Sequence, residues 1–231
     1  MAYFSRRFLC SCFLIAASTA ASFGQMEPQI DKANPEQREP EGAADRLEVV
    51  VVFYDKETGS LKVSQRADDS PLSDGFIKAL AGARITGWNT NGVKLNLKLF
   101  VACGLADSLI DLGAAYSDYG GDYESLSKFA KLEVLDLSFT DSTNEVLPAL
   151  KKMPNLRSLY LYGNEAIDVK LLDIVSGMEK LELLDIRGTT LLRESEPELK
   201  RWKKKHPDVL VLASHGYGID RGGKTIRSSD P

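Results

Sequence analysis

Few residues in this 231-residue chain have the types and spacing that chemistry requires. Residues 218–225 read Gly-Ile-Asp-Arg-Gly-Gly-Lys-Thr, formally G-x-x-x-x-G-K-T, a pattern whose backbone amides and lysine can cradle a phosphate. That chemistry needs a strand directly before the loop and a helix directly after it, because the helix N-terminus holds the anion. Five residues separate Leu212 from Gly218, and only Ile226 to Pro231 follow, too few for a supported helix. Residues 216–231 are therefore expected to be a flexible, glycine-rich tail. His206 and His215 form no recognisable site with Cys103, and nothing has paired metal-ligand spacing. A row of similar solvated aspartates gives no reason for split pKa values. No catalytic residue, cofactor or metal is expected, and the chain reads as a binding protein rather than an enzyme.

The strongest charge feature is Lys200-Arg-Trp-Lys-Lys-Lys205. Lys200, Arg201, Lys203, Lys204 and Lys205 together could make weak contact with an anionic surface. The competing reading is a solvated helix with Trp202 turned inward, partly balanced by Glu194, Glu196 and Glu198. His206-Pro-Asp208 reads as the turn that ends it. The formal net charge of −4 is too mild and of the wrong sign for a dedicated nucleic-acid binder.

The elements that would position a binding face lie between Leu132 and Thr189. Three segments match: Leu132-Glu-Val-Leu-Asp-Leu-Ser-Phe-Thr140, Leu156-Arg-Ser-Leu-Tyr-Leu-Tyr-Gly-Asn164 and Leu181-Glu-Leu-Leu-Asp-Ile-Arg-Gly-Thr189. Each has the form L-x-x-L-x-L/I-x-x-N/T. Stepping by 25 residues either way adds weaker starts at Asp107, where Ile110-Asp-Leu112 takes the strand position, and at His206, where Val209-Leu-Val211 does. A further step back to 82 gives Ile85 but also Gly87, and does not count as a repeat. In each strand the leucines of L-x-L point inward and the residue between them points out. Asn144–Met153 and Leu171–Val175 have apolar residues at helical spacing, so strands alternate with helical return arms.

Residues 107–212 resemble bacterial leucine-rich repeat proteins of the 24-residue type, most specifically at Leu156–Asn164. They depart from the pattern at Ala115, where Asn or Thr is expected. The resemblance implies an α/β solenoid, a short right-handed βα superhelix, that binds protein, peptide or glycan on its parallel strands. The outward residues are then Asp111, Asp136, Tyr160, Asp185 and Leu210 in one column. Gly113, Ser138, Tyr162, Arg187 and Leu212 form the next, with Phe139 adjoining. The candidate ligand-binding set is Asp111, Asp136, Ser138, Phe139, Tyr160, Tyr162, Asp185 and Arg187. Asp111 and Asp136, on neighbouring strands, are expected to repel unless solvated or bridged by a cation.

The rest of the chain frames this array. Residues 1–24 combine Arg6-Arg7, an apolar run of about ten residues and a small-residue exit, the signature of a signal peptide too short to span a bilayer. An exported protein, periplasmic or extracellular, is expected, with no transmembrane segment after cleavage. Cleavage leaves Cys103 alone, as a buried thiol or an inter-chain partner. Residues 25–45 are rich in Pro, Glu and Gln and read as a disordered linker. Residues 46–105 form a small α/β capping region, with a hairpin of Leu47–Tyr54 and Ser60–Ser64, a helix from Asp74 to Ala81 and a strand at Val93–Leu99. The repeats occupy 106–215.

Overall fold

The computed structural model describes residues 12–16, 49–55, 60–66, 74–214, 217–219 and 225–227, with side chains described for 62, 63 and 74–213. The expected linker at 25–45 lies outside them, as do most of the expected leader and the turn at 56–59.

Among the described residues, eleven strands make one sheet in chain order, from β1 (Cys12–Ala16), β2 (Val49–Asp55) and β3 (Ser60–Arg66) to β10 (Tyr217–Ile219) and β11 (Thr225–Arg227). The centre is parallel: β3, β4 (Ile85–Asn91), β5 (Asp111–Gly113), β6 (Val134–Asp136), β7 (Ser158–Tyr160), β8 (Leu183–Asp185) and β9 (Leu210–Ser214). Both ends are antiparallel, β1–β2–β3 on one side and β9–β10–β11 on the other. β1 lies inside the stretch that reads as a signal peptide, and here it pairs with β2. β10 and β11 bracket the phosphate-loop-like pattern, so that pattern links two antiparallel strands rather than a strand and a helix.

One side of the parallel sheet carries the return arms α3 (Tyr123–Leu126), α4 (Leu147–Leu150) and α5 (Lys170–Val175). Pro148 sits in the first turn of α4, where a missing N–H removes no helical bond. α1 (Asp74–Ala79) and α2 (Leu97–Ala102) cover the first strands, while α6 (Thr190–Glu194) and α7 (Glu196–Lys205) cover the last. Between sheet and helices the leucines stack in rows. Leu112, Leu135, Leu159, Leu184 and Val211 occupy matched positions of successive strands, all essentially inaccessible. Each such side chain contributes about 1.5–3 kcal/mol by leaving water. Phe76, Trp88 and Phe100 fill the space under β4 with edge-on contacts, closing the first end of the core.

Three expectations change. Leu112, not Ile110, pairs with Leu135, and Val211, not Val209, pairs with Leu184, so both outer repeats shift by two residues and keep the same face inward. The register also continues one step back: Trp88 pairs with Leu112, and β4 is a strand of the same parallel sheet. Finally, Val93–Leu99 is not a strand. Its burial alternates, but the Asn96 side chain accepts from Leu99 N–H at 3.1 Å and starts α2 there.

After β5, β7 and β8 the chain turns beneath a buried polar residue, and after β6 beneath a half-buried one. Asn164 is fully buried. Its amide donates to Leu137 O (2.7 Å) and Leu161 O (3.1 Å), and its oxygen accepts from Thr140 N (3.3 Å) and Ser142 N (2.8 Å). Thr140 and Thr189 donate to Leu137 O and Ile186 O, both at 2.7 Å. Ser117 fills this role in the first degenerate repeat, accepting from Val93 N at 3.3 Å, so in the corrected register the position expected to hold Asn or Thr falls on Ser117 rather than Ala115. Asn164→Ala strands several buried backbone groups at once and is expected to cost about 3 kcal/mol or more. Asn164→Thr, which can reach only the carbonyl three residues back, should cost less. Urea midpoints at unchanged m-value check both.

Candidate functional site

The loops that leave the parallel strands carry a continuous row of rings. Tyr116 and Phe139 stack face to face at 4.5 Å and 10°. Phe139 meets Tyr162 edge-on at 4.4 Å, and the Arg187 guanidinium lies 4.5 Å over the Tyr162 ring. This row crosses four repeats. Ladder hydrogen bonds beyond the strand ends hold it in register: Tyr116 N to Ser138 O (2.8 Å), Phe139 N to Tyr162 O (2.7 Å) and Gly163 N to Arg187 O (2.9 Å).

The backbone under the row is unusual. Tyr116 and Phe139 take φ of 57° and 55°, at the same repeat position where Gly163 and Gly188 take 77° and 72°. A bulky residue in the left-handed region costs roughly 1–2 kcal/mol, which an aromatic stack of about 0.5–1.5 kcal/mol only partly offsets. Glycine would serve the turn better, so stability alone does not explain these two rings. Gly163 lets the row close: a Cβ there would sit 2.3 Å from Phe139 Cδ1.

The anionic positions separate into two kinds. Asp185 is fully buried; it accepts from Arg187 Nε at 2.9 Å and pairs with the same guanidinium through Oδ2 at 2.5 Å. Both contacts raise the Arg187 pKa further, so its charge is fixed. Asp136 accepts from Ser138 N at 2.8 Å and is half-buried. Asp111 does not face Asp136: it pairs with Val134, and Asp136 with Gly113. Burial raises the Asp111 pKa, Lys62 opposes this, and Asp136 adds a smaller upward push. The native state thus holds the Asp111 proton more readily than the unfolded chain does, and stability falls as pH rises through the native pKa. Burial, with a contribution from Asp136, also raises the Tyr160 pKa, so the phenol remains neutral.

The expected columns are therefore corrected. Across the sheet one row runs Asp111–Val134–Ser158–Leu183–Leu210 and the next Gly113–Asp136–Tyr160–Asp185–Leu212. Asp136 and Tyr160 stay together on the face, and Phe139, Tyr162 and Arg187 join along the loops. Asp185 and Ser138 are buried beneath them instead of exposed; Asp185 is drawn in because its carboxylate accepts the turn N–H of Arg187 at 3.2 Å. Tyr116, 56% exposed, was missed. Aligning Leu109-Ile-Asp-Leu112 with Leu132-Glu-Val-Leu135 would have placed it opposite Phe139.

Beside Tyr116 opens a cleft of about 290 Å³ lined by Asp118, Tyr119, Gly120, Gly121, Tyr123 and Asp141 as well as the two stacked rings. Tyr119 is anchored at its back, its hydroxyl 2.6 Å from Ser142 Oγ, and burial raises its pKa far above the usual value. No group of three or more His, Cys, Asp or Glu among the described residues is arranged to hold a metal ion. No described helix is long and apolar enough to cross a membrane.

The basic run divides on α7. Lys203 is buried and donates to Pro207 O (2.8 Å) and Val209 O (2.6 Å), which correct its assignment to a docking surface. Lys200 and Arg201 pair with Glu196 and Glu198, while Lys204 and Lys205 stay exposed. Trp202 is turned inward, its indole N–H donating to Ser176 Oγ at 2.9 Å.

Parallel strands, leucine rows and buried turn residues repeating every 23 to 25 residues define a leucine-rich repeat solenoid with a small α/β N-terminal cap. No family model matches the chain. It is 37% identical over 101 residues to Receptor-like protein 9a of Arabidopsis thaliana, an alignment that covers 43% of this chain and 11% of that protein. The chain thus aligns with only a small part of that curated relative.

Two outcomes follow from the geometry. Gly163→Ala must expel the Phe139 ring and is expected to cost about 1–3 kcal/mol beyond Gly82→Ala, whose Cβ meets nothing within 4 Å. Urea unfolding gives the difference, and near-UV circular dichroism should show the loss of the aromatic row. Asp111→Asn should raise the urea midpoint at pH 7, and the gain should vanish below about pH 3, where Asp111 is protonated in both states.

Proposed function

We propose that this chain is a non-catalytic, exported recognition scaffold of the bacterial 24-residue leucine-rich repeat type, binding a protein or peptide through its strand face and the aromatic row at the strand ends. The observation that carries the reading is that row. Tyr116, Phe139 and Tyr162 are fixed before any partner arrives by ladder hydrogen bonds and ring contacts, the first two at a backbone cost. Rigid aromatic area of this kind binds with little loss of side-chain entropy. Its likeness to a receptor-like protein supports interaction in general terms. Export rests on the sequence of residues 1–24.

The alternative, an adaptor for anionic surfaces through 200–205, is left with Lys204 and Lys205 as its unpaired cations among the described residues of that run. Capture from an envelope extract, comparing the wild type with Tyr160→Ala/Tyr162→Ala, tests the main reading. Loss of a specific partner at physiological salt is expected. Equal recovery of every partner by both proteins would remove the strand-face reading, and recovery abolished by modest salt and by Lys204→Ala/Lys205→Ala would favour the adaptor.

A further inference from the structure

The aromatic row has two unlike ends. At one end Arg187 lies over Tyr162 and is neutralised by buried Asp185, so a guanidinium, an aromatic face and a carboxylate form a closed set. At the other end Tyr116 projects into the cleft with two carboxylates, Asp118 and Asp141, and no Lys or Arg among the lining residues. Neither carboxylate is ion-paired among the described residues. Asp118 accepts the Gly120 N–H at 2.7 Å, and Gly120 and Gly121, with φ of 64° and 62°, shape the rim. Asp141, like Tyr116, is held at positive φ (55°). Lys94 pairs with Asp118 through a backbone bridge, but it lines the adjoining groove rather than this cleft.

We propose that the Tyr116 cleft takes an arginine side chain of a partner peptide, completing at this end the arrangement that Arg187 completes at the other. The guanidinium stacks on Tyr116, and Asp118 and Asp141 supply the acceptors its N–H groups need. A planar cation fits better than an ammonium, because it stacks on the ring and donates in the plane at the same time. Tyr123 and the anchored Tyr119, edge-on to each other at 5.9 Å, line the same cleft and add apolar surface to it. The inference rests on the recognition reading above and names the chemistry of what is recognised.

The test is a titration of the isotope-labelled full chain with N-acetyl-arginine amide, followed by amide and aromatic chemical shifts. N-acetyl-citrulline amide, neutral and nearly isosteric, and N-acetyl-lysine amide are the comparison probes. Arginine should give saturable shifts at Gly120, Gly121 and Tyr116, at least tenfold tighter than citrulline and tighter than lysine. Asp118→Asn/Asp141→Asn should lose them, and so should Tyr116→Gly, which relaxes the turn and keeps the fold, with spectra otherwise superimposable on wild type. Citrulline or lysine binding as well as arginine, shifts confined to the Asp111 and Asp136 face, or no saturable shift would overturn the assignment. If arginine fails while Tyr160→Ala/Tyr162→Ala still loses a partner, only the arginine assignment falls. If arginine titrates the cleft while both proteins capture the same partners, only the strand-face reading falls.

Discussion

The strands β5 to β8 end in sharp, largely buried turns, and a buried turn leaves amides and carbonyls that water cannot reach. The structure depends on how those groups are satisfied. Asn164 serves two turns at once, its own and that of the preceding repeat, and it ties Thr140 and Ser142 into one network that runs on to the Tyr119 hydroxyl. The leucine rows supply most of the free energy, but apolar burial is non-directional and would tolerate small slips. The polar network does not tolerate them, because Asn164 must meet Leu137 O, Thr140 N and Ser142 N of the preceding repeat within hydrogen-bond distance. Register in this fold is thus set by its few buried polar groups.

That register carries through to the surface. Because the turns are locked, the residues just before their buried polar groups are held in place, and Tyr116, Phe139, Tyr162 and Arg187 meet side by side although 23, 23 and 25 residues separate them in sequence. Gly163 shows how closely the two levels are coupled, since the space its missing Cβ leaves is filled by Phe139. The same coupling explains why burial divides the aspartates. Asp185 lies under a guanidinium and closes an internal pair, whereas Asp118 and Asp141 line an opening.

Much of the scaffold was legible in sequence, and the site much less so. The three central repeats could be read because inward leucines, turn residue and spacing agreed in each. The outer repeats could not be placed by a fixed step of 25, since their true spacing varies and Trp88, Ala114 and Val211 replace the expected leucines. A slip of two residues preserves the inward face, so hydrophobic pattern alone could not detect it. It did hide Tyr116. Side-chain burial among polar residues was invisible for another reason: Asp185 and Ser138 alternate correctly for exposure, and the turn hydrogen bond that draws Asp185 in has no sequence pattern of its own. Lys203 was misread likewise, because a charge run shows sign but not which ammonium reaches the carbonyls of Pro207 and Val209.

The sheet reverses direction at both margins, β2 against β3 and β9 against β10, while every junction between is parallel. A tandem duplication can therefore be inherited only in the interior, where one more strand-and-helix unit meets identical edges on either side. The margins work as bookends. Lineages of this fold are free to lengthen or shorten from the middle, and each change of one unit would move the Arg187 end and the Tyr116 end of the row apart or together by one strand spacing of about 4.8 Å. The distance between the two ends is thus a quantity evolution can set in steps, without redesigning either of them.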